Sequence, residues 1–146
     1  MAARTLMEKA TPAAALLIRG SGGLLEGVSR KLLPGETLVI GRSRSCDLSL
    51  RRTHAFRQRE DAEQILGSAQ FNRVSRIHCE IEYLKDRSVE IRDLSQNGTF
   101  VDGVRVGRSQ LVKLDGRPVT LELVDATWGR LVLVEKGAAG ASSPPS

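Results

Sequence analysis

The chain has 146 residues, 22 Lys and Arg against 17 Asp and Glu for a net charge of +5, and 40% hydrophobic residues. That length suits one ordinary domain with a real core, and the mixture of charge and apolarity excludes both wholesale disorder and a membrane-embedded chain. The longest apolar run, residues 13–18, falls far short of the roughly 18 needed to span a bilayer, and Glu8, Lys9 and Arg19 around it make a poor signal peptide.

Residues 1–12 are mixed and aperiodic and read as a flexible lead, with the domain expected over 13–136. Short apolar runs then recur at 14–18, 31–33, 37–40, 48–50, 78–83, 88–92, 99–101, 111–114, 119–124 and 130–134. Several alternate with polar residues, as in Thr120-Leu121-Glu122-Leu123, which is the period of a half-buried strand. Pro34-Gly35, Asn97-Gly98, Asp102-Gly103 and Asp115-Gly116 supply turn signals between them. The pattern predicts an all-β sandwich of about ten antiparallel strands. Residues 51–72 break it: they are charged, lack alternation and carry helix formers over 58–66, so a short helix is expected inside a long insertion. The close, 137–146, is small residues and prolines and reads as a tail or linker.

Two cysteines, Cys46 and Cys79, cannot staple a framework, and a reduced pair suits an intracellular chain. Arginines cluster at 42, 44, 51, 52, 57, 59, 73 and 76, which invites an anionic partner. Metal chemistry fails on spacing, because His78 and Cys79 are neighbours in an expected strand and point to opposite faces. Ser75, His78 and Asp93 are the residue types of a hydrolytic triad, yet no nucleophile elbow surrounds the serine, and no phosphate-binding P-loop or dinucleotide fingerprint is present. No cofactor is expected. Nonspecific nucleic-acid binding stands as a minor alternative, since only Phe56 and Phe71 lie among the arginines as stacking groups.

The strongest constellation is spread over three loops: Val39-Ile40-Gly41-Arg42, then Val74-Ser75-Arg76-Ile77-His78, then Asp93-Leu94-Ser95-Gln96-Asn97-Gly98-Thr99. In that order they closely resemble the forkhead-associated (FHA) domain, over roughly residues 16–134. The resemblance implies a non-catalytic β-sandwich of about eleven strands whose loops at one end hold a phosphothreonine-containing peptide. It places Arg42, Ser75 and the less regular Arg76 on the phosphate, where a guanidinium fork, a hydroxyl and the Ser75 N–H have the right chemistry. It places Gln96 and Asn97 on the ligand backbone. Gly41, through a sharp turn, and His78, Asp93, Gly98 and Thr99 are expected to brace the loops. Asp102 stands where many members have asparagine, and Arg117 where an acidic residue is frequent. A long segment at 51–72 also occurs in FHA domains that precede checkpoint-type Ser/Thr kinases, where it can serve a second protein contact or dimerisation. The chain as the targeting domain of a larger kinase is therefore the alternative reading.

Overall fold

Alternation decides which face each strand turns inward, and a computed structural model describing residues 14–137 shows the result. The expected lead and nearly all of the tail lie outside the described residues. Eleven strands form two sheets. The six-stranded sheet has the order β2-β1-β11-β10-β7-β8, from β1 (Ala15–Ser21), β2 (Ser29–Leu32), β7 (Thr99–Val101), β8 (Val104–Arg105), β10 (Val119–Leu123) and β11 (Arg130–Lys136). The five-stranded sheet has the order β4-β3-β5-β6-β9, from β3 (Thr37–Gly41), β4 (Leu48–Ser49), β5 (Cys79–Tyr83), β6 (Val89–Asp93) and β9 (Ser109–Val112). Leu16, Ile18, Leu121, Leu131 and Leu133 from the first sheet meet Ile40, Ile81, Tyr83 and Ile91 from the second, all fully buried. Each such side chain contributes about 1.5–3 kcal/mol relative to exposure.

Three local expectations are corrected. One pair is parallel: β4 returns beside β3 with Ile40 opposite Leu48 and Gly41 opposite Ser49, after residues 42–47 loop out and back. Asp47 accepts the Val39 N–H at 2.9 Å and so closes that edge. β9 begins two residues before its expected place, and β8, two exposed residues with no alternation to betray them, was not legible. Only Asp102-Gly103, with φ of 49° and 85°, closes a tight hairpin of the four turn signals; the other three connect strands of different sheets.

The insertion is folded, though not as one helix over 58–66. It forms α1 (His54–Arg57), α2 (Ala62–Gly67) and α3 (Ala69–Asn72). Thr53 caps α1 by accepting the Phe56 N–H at 3.1 Å, and Ser68, in extended conformation, ends α2 and caps α3 through the Phe71 N–H at 3.1 Å. Each helix delivers one buried side chain, Phe56, Ile65 and Phe71, and this tertiary anchoring overrides the helix formers at 58–60. Phe71 stacks on Phe56 at 6.4 Å and meets the edge of Trp128 at 5.7 Å. The insertion therefore covers its own sandwich. It also buries Phe56 and Phe71, the two aromatics among the arginines, so neither offers a stacking platform for bases.

β1 and β11 run together from Ala15 opposite Lys136 to Ser21 opposite Arg130, and the latter end adjoins the loop before Thr99 through β10. The two ends of the described chain thus leave at the pole opposite the three loops, a strand length of roughly 20 Å away. Phe71→Ala should cost about 3–5 kcal/mol of stability, read from denaturant unfolding by the fluorescence of Trp128, the chain's single tryptophan. A loss below about 1 kcal/mol would show that the insertion is not part of the cooperative core.

Candidate functional site

β3 ends at Gly41, and residues 74–78 lie against it as a continuation of the ladder. His78 N–H donates to Ile40 O at 2.8 Å, Arg42 N–H to Ser75 O at 3.1 Å and Ser43 N–H to Arg76 O at 3.0 Å. Gly41 does not make the sharp turn expected of it: it closes β3 without a positive φ. Its role is close approach: a Cβ there would stand 2.2 Å from Arg76 O and 2.9 Å from His78 N. Any other residue would push the second loop off the first.

Arg42 is half-buried, and its Nε–H donates to Val74 O, which fixes the plane of the guanidinium and leaves its outer N–H groups for a ligand. Burial, and then the like charges of Arg76 and Arg51, hold this guanidinium below the ordinary arginine range. Among the described residues no ion pair neutralises Arg42, Arg51 or Arg76. Arg51 enters this group because its N–H donates to Ser49 Oγ, which itself donates to Arg42 O.

The Ser75 hydroxyl oxygen accepts the Gln96 N–H at 3.1 Å, so its own hydrogen is free to donate outward. The Ser75 N–H, expected to face a phosphate, is taken instead: it donates to His78 Nδ1 at 3.0 Å. The neighbouring N–H of Arg76 has no partner among the described residues. The sequence carried no signal for this exchange, because it depends on where the imidazole sits.

His78 is wholly buried and ties two loops together. Nδ1 accepts from Ser75, so Nε2 carries the proton and donates to Gly98 O at 2.8 Å. Burial lowers the His78 pKa, against the weaker opposing pull of Gly98 O and the Asp93 charge. Asp93 organises the third loop: one carboxylate oxygen accepts Ser95 N–H at 3.0 Å, Ser95 Oγ at 2.6 Å and Thr99 Oγ1 at 2.9 Å. Burial pushes the Asp93 pKa up, yet these hydrogen bonds to the ionised form prevail and hold it below the usual carboxylate range. Gly98 takes φ of +105°, and Asn97 Nδ2 donates to Arg73 O at 2.8 Å, a second tie between loops.

Arg42, Ser75, Arg76 and Gln96 line one shallow depression of about 340 Å³, as do Asn72, Ile77 and Leu94, which sequence reasoning missed. Asn97 stands beside it, with one amide hydrogen and its carbonyl oxygen uncommitted. Among the described residues there is no grouping of His, Cys, Asp and Glu that would hold a metal, and no helix is long and apolar enough to cross a membrane.

The family model for the FHA domain matches residues 38–117. Solved structures with similar folds include the FHA domain of the CT664 protein from Chlamydia trachomatis, at TM-score 0.54 and 20% identity, covering 83% of this chain and 95% of that one. The N-terminal FHA domain of S. cerevisiae Rad53p in complex with a phosphothreonine peptide gives 0.53 and 20%, covering 84% and 93%. Mycobacterium tuberculosis Rv1747 FHA-1 gives 0.54 and 17%, covering 85% and 98%. The search of curated proteins returns no match.

The clamp has a pH signature. A folded state that holds His78 neutral, against an unfolded chain titrating near about 6.5, gives stability that is complete above that pH and declines as pH falls below it. The difference in unfolding free energy between the parent chain and His78→Gln, followed from about pH 8 to about pH 5, should shrink toward acid. A difference that stays constant would contradict a neutral imidazole.

Proposed function

The chain belongs to the FHA domain family, and we propose that its loop end binds phosphothreonine-containing protein segments as a non-catalytic recognition module in signalling. One observation carries this: Arg42, Ser75 and Arg76, from two separate loops, line a single depression whose cations have no counter-ion among the described residues. Such a site suits a dianion. The similar Rad53p domain, in complex with a phosphothreonine peptide, supports the reading.

In this assignment the Arg42 fork bonds two phosphate oxygens, the Ser75 O–H donates to a third contact, and Arg76 adds its side chain and unpartnered N–H. A phosphothreonine carries about −1.5 to −2 charge, and two or three charge-assisted hydrogen bonds at roughly 1.5–3 kcal/mol each bring a micromolar complex, about −8 kcal/mol, within reach. Asn97 offers its remaining amide hydrogen and carbonyl oxygen to the ligand backbone, with Gln96 alongside. His78, Asp93, Gly98 and Thr99 hold the loops and touch no ligand.

Residues 13–136 form the binding unit in this proposal, working inside the cell, where Cys46 and Cys79 remain buried thiols. A second reading is a targeting domain within a larger Ser/Thr kinase, and both ends of the described chain exit at the far pole, away from the loops. Further chain attached there would leave the loops open.

Titration with matched peptides bearing threonine and phosphothreonine should show binding only for the second. Arg42→Ala should weaken it by about 2 kcal/mol or more, while Arg130→Ala, whose guanidinium is occupied by Glu122 on a sheet face, should cost little. Equal affinity for the two peptides, or equal losses from the two variants, would refute the assignment.

A further inference from the structure

The insertion ends at the site. α3 is set by Ser68, whose Oγ accepts the Phe71 N–H and donates to Ile65 O at 2.8 Å. Phe71 is thereby turned inward against Phe56 and Trp128, and the next residue, Asn72, faces out onto the rim of the depression shared by Arg42, Ser75 and Arg76.

The Asn72 amide is oriented by its partners. Nδ2 donates to Ser68 O at 2.8 Å and to Leu66 O at 3.2 Å, so both amide hydrogens are used. Two backbone carbonyls can only accept, so the reversed amide would set oxygen against oxygen. What remains is Oδ1, a fixed acceptor with no partner among the described residues. It cannot serve the phosphate, whose oxygens are acceptors too. Nor does it suit a cationic ligand side chain, because Arg42, Arg51 and Arg76 repel one there.

We propose that Asn72 is a specificity-determining residue, its Oδ1 accepting one main-chain N–H of the ligand beside the phosphothreonine. The inference rests on the phosphothreonine reading and deepens it. It makes the insertion an arm that fixes the register of the bound segment, and it sets a rule: proline is rejected at the one ligand position whose N–H meets Asn72.

Calorimetric titration of the full chain with phosphothreonine peptides in which each amide flanking the phosphothreonine is replaced in turn by an ester tests this, with wild type and Asn72→Ala side by side. At least one ester position should weaken wild-type binding about five- to tenfold, Asn72→Ala should lose a similar factor on the all-amide peptide, and at one ester position the two losses should not add. A structural role for Asn72 alone gives losses that add at every position, and that result overturns the proposal. So does a wild type indifferent to every ester. Absence of any binding by the wild type defeats the phosphothreonine reading first, and this inference with it.

Discussion

A neutral imidazole governs the loop end of this molecule. His78 accepts from the Ser75 N–H with one ring nitrogen and donates to Gly98 O with the other, so two loops that belong to different parts of the chain share one rigid spacer. The spacer works because it is dry: a buried ring with both nitrogens engaged cannot rotate without leaving polar groups unpaired, at about 1–3 kcal/mol each. The same bond removes the Ser75 N–H from any ligand and leaves the Arg76 N–H in its place. A structural contact thereby selects which donors the surface presents.

Around this spacer the fold keeps cations together that would otherwise separate. Arg42 is held by Val74 O and Arg51 by Ser49, backbone-level ties that cost little because neutral partners make them. Meanwhile the carboxylates nearest in the chain are engaged elsewhere, Asp47 with the Val39 N–H and Glu80 with Arg92. Like charges left unpaired store unfavourable energy that a dianion relieves. On the proposed function, that is how a half-exposed surface becomes selective for phosphate without a deep pocket.

Much of this was legible in the chain. The alternating runs gave the strand positions closely, since a half-buried strand leaves a period of two wherever one face meets a core. Arg42, Ser75, Arg76 and Gln96 stood out through the order of the three family motifs, and the fold brings them to one depression. What escaped depended on hydrogen-bonding capacity already in use. Residue type says that Ser75 has an N–H to offer; only packing says that His78 takes it. Gly41 announced a special backbone, and the sequence suggested a turn where the structure needs close approach to Arg76 O. The insertion misled for a different reason: helix formers at 58–60 favour continuity, but three buried anchors spaced along 56–71 require the chain to break and cap itself between them. Asn72 carried no signal at all beyond standing three residues before Ser75.

The most direct measurement is a crystal structure of the chain with a phosphothreonine peptide bound. The account places the phosphate between the Arg42 guanidinium and the Ser75 hydroxyl, with His78 unmoved and still bridging Ser75 to Gly98. Density for the phosphate at any other surface, or a His78 ring swung out to meet it, would contradict the account at its centre.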